Sequence, residues 1–302
     1  MTARLIAFAL LLTMFLPSAL TAKPRPPRPT PTPARALQVV GHAGSGFFTL
    51  LNPFNPLPPS SLRGVLRALD RGADGVEIDL QLSRDSVVML YHDLRLESIT
   101  TGVGCVPQQP AAALTALRYR RGWPYDWFQH ERPVTLDTVL ACLNRRPAFP
   151  VLHLDLHEEN VCAAPGDTYD HTPELVRKLL GSLRRARVPA EQLLVISNKA
   201  GVLRQLRKGW PALPLAFDVT DDFATSLRLA QAERVKTLVA SGDRTTAEQV
   251  AQARAAGVFV VLFGGRSGKD VRRLLASKPD GIQADNVRRV LALRQRGSSG
   301  AQ

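Results

Sequence analysis

From Ala36 onward the chain alternates short apolar runs with amphipathic stretches. Runs at Leu37–His42, Gly75–Leu82, Val87–Asp93, Val151–His157, Gln192–Ser197, Pro214–Val219, Lys236–Ser241, Val258–Gly264 and Gly281–Asp285 predict strands. Apolar positions at helical spacing predict helices over Ser61–Arg71, Thr135–Asn144, Thr172–Ala186, Ala200–Lys208, Asp222–Arg234, Thr246–Ala256, Lys269–Ala276 and Val287–Gln295. Thr172-Pro173 has the form of a helix start, and Gly72 and Gly257 the form of helix ends. Strands separated by helices imply βα units and a parallel sheet. About eight repeats over a length near ~250 residues favour a single-domain (β/α)₈ TIM barrel, residues 36–296, over an open doubly wound sheet. Neither a G-x-G-x-x-G after the first strand nor a Walker loop is present, which argues against nucleotide binding. The proline-bearing stretch 102–132 breaks the repeat and reads as an insertion over one end of the barrel.

The first 35 of 302 residues follow a different pattern. One early arginine, an apolar run from Leu5 to Leu16 and the small residues Ser18, Ala19 and Ala22 match a secretory signal peptide, residues 1–22. The run is shorter than the ~20 apolar residues of a membrane span. A cleaved signal implies a secreted or periplasmic protein. Residues 23–35 are proline-rich, a composition that favours an extended linker, and 297–302 read as a disordered tail. In an oxidising compartment the three cysteines allow one disulfide, and Cys105–Cys162 is the expected pair because both fall in loops, leaving Cys142 free. Lys and Arg outnumber Asp and Glu 39 to 26, a net +13, which favours phosphate-bearing small molecules and peripheral contact with an anionic membrane surface. No RNA-binding aromatic motif or zinc-finger spacing accompanies the charge, so a nucleic-acid partner is not expected.

The chemistry emerges from strand alternation. In GVEIDLQL, Val76, Ile78 and Leu80 share one face, and Glu77, Asp79 and Gln81 share the other. VLHLDLH repeats the design with His153, Asp155 and His157 opposite Leu152, Leu154 and Leu156. If the apolar faces pack on helices, Glu77, Asp79 and Asp155 enter one enclosed space. Carboxylates packed together repel, and a hard divalent cation relieves them; oxygen donors suit Ca²⁺ or Mg²⁺. His42 and His92, at the ends of their runs, would sit at the catalytic end of a barrel as a proton acceptor and a proton donor.

These residues, with GADGVEIDLQLSRDSVVMLYHDLRLESITTGVG and the closing PDGIQADN, resemble the glycerophosphodiester phosphodiesterases of the phospholipase-C-like barrel superfamily. The resemblance covers the chain beyond the proline-rich segment. It implies a metal held by Glu77, Asp79 and Asp155, with His42 and His92 as the acid/base pair, and hydrolysis to glycerol 3-phosphate and an alcohol. Three departures stand out. Ala43 replaces the arginine usual after the first histidine, Pro58-Pro59-Ser60-Ser61 replaces a Pro-Glu-Asn-Thr stretch, and Asp155-Leu156-His157 replaces Glu-x-Lys. His157, Arg266 or Lys199 is expected to supply part of the missing positive charge, and Trp123, with its aromatic neighbours, to wall the pocket. Two alternatives follow from the same residues. An aspartate as third ligand also resembles lipid phosphodiesterases of the sphingomyelinase D type, and Ala43 with His157 would suit a catalytically weak phosphodiester-binding barrel.

Overall fold

The computed structural model describes residues 36–299 apart from 51–53, 165, 167–169 and 221, with backbone alone over 296–299. The expected signal peptide, the proline-rich segment and residues 300–302 lie outside the described residues. In chain order the elements are β1 (Gln38–Gly41), α1 (Leu62–Asp70), β2 (Gly75–Leu82), β3 (Val88–Leu90), α2 (Ala111–Ala116), β4 (Val134–Thr135), α3 (Leu136–Leu143), β5 (Val151–Leu156), α4 (Thr172–Arg185), β6 (Leu193–Ser197), α5 (Ala200–Gly209), β7 (Leu215–Asp218), α6 (Phe223–Ala232), β8 (Thr237–Ser241), α7 (Ala247–Ala255), β9 (Phe259–Gly264), α8 (Gly268–Ala276), β10 (Gly281–Ala284) and α9 (Val287–Ser299).

Eight of these strands pair in parallel in the order β1-β10-β9-β8-β7-β6-β5-β2, and β1 pairs with β2 to close the ring. The sheet is the (β/α)₈ barrel that the βα repeat predicts. Val76, Ile78 and Leu80 of β2 and Leu152, Leu154 and Leu156 of β5 join one continuous core with helix residues such as Val65, Leu140, Leu179 and Leu203. Each such side chain contributes about 1.5–3 kcal/mol by leaving water. Inside the barrel Leu194, Ile196, Ala216, Val239 and Val261 form a second apolar layer. Beside it the Gln283 amide donates to His153 Nδ1 at 3.1 Å, so the buried imidazole is satisfied in its neutral form.

Helix boundaries follow local chemistry. The Ser61 hydroxyl caps α1 by accepting from the Gly64 N–H, and Thr246 with Gln249 forms a capping box on α7. Gly72 and Gly257 take φ of +90° and +73°, the left-handed conformation that ends a helix at no steric cost.

Two expectations need correction. Val87–Asp93 is not a barrel strand. Only Val88–Leu90 is extended, and it pairs antiparallel with the end of β2 (Leu80 opposite Leu90) and with β4. The β2 strand overshoots the barrel rim and doubles back, so the third of the nine apolar runs belongs to a hairpin and eight remain for the barrel. The insertion also has its own small core, Met89, Tyr91, Leu96, Val106, Leu114 and Tyr119, with α2 within it. Finally, α9 continues to Ser299, past both the expected helix end and the expected start of the tail.

Candidate active site

The β2–β5 register sets the acidic face. Glu77 lies opposite His153 and Asp79 opposite Asp155, so inward positions of adjacent strands meet side by side. Glu77, Asp79 and Asp155, with His157 just beyond β5, open on a cavity of about 520 Å³ at the C-terminal end of the barrel. Asp79, Asp155 and His157 each offer a ligand atom within 4.8 Å of the others. Glu77 stands outside that tight set but lines the same cavity, and its charge is felt together with those of Asp79 and Asp155. The carboxylates of this face, with His157 beside them, fit a hard divalent cation, whose charge would offset the repulsion among buried acids.

Each acid is held differently. Burial, then Asp79 and Asp155, pushes Glu77 well above the usual carboxylate range, against the Ala43 N–H that donates to its Oε2 at 2.6 Å. Ala43 takes φ of +44° to make that bond, a conformation that costs a side-chain-bearing residue about 1–2 kcal/mol. Burial also acts to raise Asp79. The His157 hydrogen bond (3.1 Å), the charges of His92 and His157 and the Ser60 hydroxyl (2.7 Å) outweigh it and hold Asp79 below the ordinary range. Burial pushes Asp155 up to about 8, with Asp79, Asp218 and Glu158 adding to the effect and His157 opposing it. Burial would lower His157, yet the Asp79 hydrogen bond and the surrounding carboxylates raise it to about 9. A protonated His157 therefore sits against Asp79, with Asp155 3.8 Å away.

Two further imidazoles complete the ring. His42 Nδ1 lies 2.8 Å from Asp285 Oδ1, and His92 Nδ1 lies 2.7 Å from Asp93 Oδ1. An ionised carboxylate only accepts, so each Nδ1 carries a proton and each Nε2 is left for proton transfer. The Phe47 ring stands between them, edge-on to both, with centroids 5.1 Å from His42 and 5.0 Å from His92. Burial opposes protonation of His92, but its Asp93 bond and the Asp79 charge win and raise it. Asp285 is held low: burial is outweighed by His42 and by Arg266, whose Nε donates to Asp285 Oδ2 at 3.2 Å.

Of the residues singled out in the sequence, His42, Glu77, Asp79, His92, Asp155, His157 and Arg266 all line this one cavity. His92 arrives by the hairpin return and not, as expected, at a barrel strand end; the Tyr91 N–H donates to the Asp79 carbonyl at 3.1 Å and fixes the approach. Lys199 and Trp123 are not among the lining residues. Lys199 Nζ pairs with Glu158 and Glu159, 3.3 Å from each, and Trp123 is 75% exposed on the insertion. The structure adds Ser60, Phe47, Asp218 and the role of Asp285. Ser60 lay in the Pro58–Ser61 stretch that looked like a loss, yet its hydroxyl bonds Asp79 Oδ2 and accepts from the Asp79 N–H. Asp285 was visible in PDGIQADN. Its role follows from barrel closure, which puts the end of β10 beside the end of β1, where Gly41 pairs with Ala284. Gly46, at φ +86°, permits this approach, since a Cβ there would meet the Asp285 carbonyl oxygen at 2.5 Å.

Comparison with known proteins agrees with the geometry. The barrel resembles an Oleispira antarctica phosphodiesterase solved in complex with the product sn-glycerol-3-phosphate (TM-score 0.70, 22% identity, 84% of this chain and 95% of that one). It is equally similar to a Parabacteroides distasonis glycerophosphodiester phosphodiesterase (TM-score 0.70, 17% identity, 89% and 99%). At such identities these likenesses establish the fold. Among curated proteins, the "Probable glycerophosphodiester phosphodiesterase 1" of Mycobacterium tuberculosis is 33% identical over 172 residues, 52% of this chain, and the match spans only 58% of that relative. A Bacillus altitudinis glycerophosphodiester phosphodiesterase is 24% identical over 245 residues, 79% of this chain and 93% of that protein. The model of the glycerophosphoryl diester phosphodiesterase family matches residues 55–289, and the chain belongs to that family.

Proposed function

We propose that this protein is a secreted, divalent-cation-dependent phosphodiesterase that hydrolyses glycerophosphodiesters to sn-glycerol 3-phosphate and an alcohol. The observation that carries this reading is the opposed pair His42 and His92, each with Nδ1 tied to a carboxylate, on either side of Phe47 in the cavity that Glu77, Asp79 and Asp155 line. A site that only bound phosphodiesters would not need two proton-transfer groups.

Glu77, Asp79 and Asp155 would hold the cation, Ca²⁺ or Mg²⁺, which when bound polarises a phosphate oxygen. One histidine takes a proton through Nε2 from the attacking oxygen as it bonds to phosphorus; where that oxygen is a glycerol hydroxyl, the cyclic phosphate formed is then opened by water to give glycerol 3-phosphate. The other donates a proton to the departing alcohol oxygen as the P–O bond to it breaks. Asp285 and Asp93 hold the two rings in the required tautomer. Arg266 projects from the β9–α8 loop, where barrels commonly bind phosphate, and takes the role left by the missing arginine after His42. His157 supplies a second positive charge beside the carboxylates. Secretion is supported by the N-terminal apolar run and by the Cys105–Cys162 disulfide, a bond that persists in oxidising compartments.

The test is release of sn-glycerol 3-phosphate from glycerophosphocholine, glycerophosphoethanolamine and glycerophosphoglycerol. It is run with Ca²⁺, with Mg²⁺ and with chelator, alongside His42→Ala and His92→Ala. Activity restored by a cation and lost in both variants supports the reading. Binding of these compounds with no turnover under any cation refutes it. Mass measurement of the exported protein checks for removal of residues 1–22.

A further inference from the structure

The insertion carries a surface feature that the chemistry does not use. Trp123, Trp127 and Phe128 are 75%, 73% and 55% exposed, although large aromatic side chains are ordinarily well buried. The two indoles pack edge-to-face at 6.4 Å, so they form one apolar knob. The knob sits on a fixed turn: the Asp126 carboxylate accepts from the Arg121 N–H at 2.8 Å and the Gly122 N–H at 3.0 Å. That arrangement also engages the negative charge within the turn. Arg118, Arg120, Arg121 and Arg132 flank it with exposed side chains.

The knob is joined to the cavity rim by a ladder of rings. Phe54 meets Phe128 at 5.4 Å and stacks on Tyr125 at 5.8 Å, and Tyr125 meets Phe48 edge-on at 5.3 Å. The Arg121 guanidinium lies 5.8 Å over the Phe48 ring. Phe48 follows Phe47, which stands between the two histidines. The exposed aromatics therefore belong to the same rim as the catalytic mouth.

We infer that Gly122–Phe128 is a membrane-docking tip that seats the barrel mouth on an anionic lipid bilayer. Trp has an apolar body and a polar N–H, which suits the headgroup–acyl boundary, and arginines beside it meet anionic headgroups. The chain's net charge of +13 adds long-range attraction of the same sign. This charge favours an anionic bilayer over an uncharged apolar partner surface. The inference does not depend on the proposed reaction, because docking needs no turnover.

The experiment is co-sedimentation of the exported chain, residues 23–302, with phosphatidylcholine vesicles and with phosphatidylcholine/phosphatidylglycerol vesicles, at low and high salt. The wild type should bind the anionic vesicles selectively, and binding should weaken as salt shortens the Debye length from about 10 Å at 0.1 M to about 3 Å at 1 M. Trp123→Ala/Trp127→Ala should lower partitioning about tenfold or more, since two indoles no longer enter the interface. Its unfolding midpoint should be unchanged, as expected for exposed side chains. Arg120→Glu/Arg121→Glu should lose binding to the anionic vesicles only. Brominated lipids should quench wild-type tryptophan emission, a readout that requires no variant. Equal binding to both vesicle types, undiminished binding in the double tryptophan variant or absence of quenching would each overturn the inference. So would concentration-dependent self-association through these tryptophans in place of vesicle binding.

Discussion

Asp285 Oδ1 lies 2.8 Å from His42 Nδ1, so a carboxylate from the last barrel strand's end sets the tautomer of an imidazole at the end of the first. Its other oxygen is held by Arg266 at 3.2 Å, which fixes the carboxylate's plane. Asp285→Asn keeps the shape but can offer Nδ1 an N–H donor, forcing the proton onto Nε2; that tautomer cannot accept a proton there, and without a proton on Nδ1 it is a poor acid, so either role of His42 suffers. General acid–base catalysis is worth about 10²–10⁴-fold, so kcat should fall about 10²–10³-fold with KM little changed. Arg266→Ala should leave the tautomer intact and act mainly through KM. Steady-state kinetics on glycerophosphocholine separates the two, and an Asp285→Asn variant with normal kcat would show that the contact does not orient the ring.

Cation binding should release a proton. Burial pushes Asp155 up to about 8, so at pH 7 without a cation the carboxyl is largely protonated. A cation needs the carboxylate, and therefore competes with that proton. Affinity should rise by up to about tenfold per pH unit as pH increases toward 8, and then level off. Calorimetric titration of the metal-free protein in two buffers of different ionisation enthalpy measures the effect; near pH 7 it should show one proton or more released per cation, since Glu77 is also raised. A pH-independent affinity with no proton release would place the cation away from Asp155.

The legible part of this protein was the part encoded by period. Alternation in β2 and β5 told which side of each strand faces the barrel, and the structure keeps every one of those six apolar residues in the outer core. Residues that act through chain crossings were not legible. Ser60 reaches Asp79 because Ser60, at φ +53°, sits in a turn whose N–H donates to the Ala43 carbonyl at 2.9 Å, and no local pattern announces that contact. His92 was found for an incomplete reason: its run has the composition of a barrel strand, and only the antiparallel ladder to Leu80–Leu82 shows it to be a hairpin return. Trp123 is expected from the sequence to wall the pocket as part of an aromatic cluster, and Lys199 to supply missing positive charge; neither lines the cavity. The first follows a loop outward, and the second is held by the two glutamates after β5.

The disulfide should matter for stability more than for chemistry. Cys105 and Cys162 are separated by 57 positions and join the insertion to the segment after β5. Closing a loop of that length restricts the unfolded chain by about 4 kcal/mol in the chain-entropy model. Cys105→Ser/Cys162→Ser should lower stability by about 2–4 kcal/mol, measured by denaturant unfolding. Neither cysteine lines the catalytic cavity, so turnover at low temperature should survive the change.

His153 should make the fold sensitive to acid before the carboxylates do. Burial lowers its pKa from 6.5 to about 3, and its Nδ1 already accepts from Gln283, which leaves the neutral ring satisfied. The unfolded chain takes up this proton first, so the contribution of His153 is intact above pH 6.5 and is lost progressively as pH falls toward 3. The loss is about 1.4 kcal/mol per pH unit once the unfolded group is protonated, or about 2 kcal/mol by pH 5. His153→Gln has no such proton to gain. Its stability relative to wild type, from urea unfolding at pH 7 and pH 5, should therefore improve by that amount at the lower pH. The difference between the two proteins cancels the titrations they share, so equal pH dependence in both would mean that His153 is protonated inside the barrel.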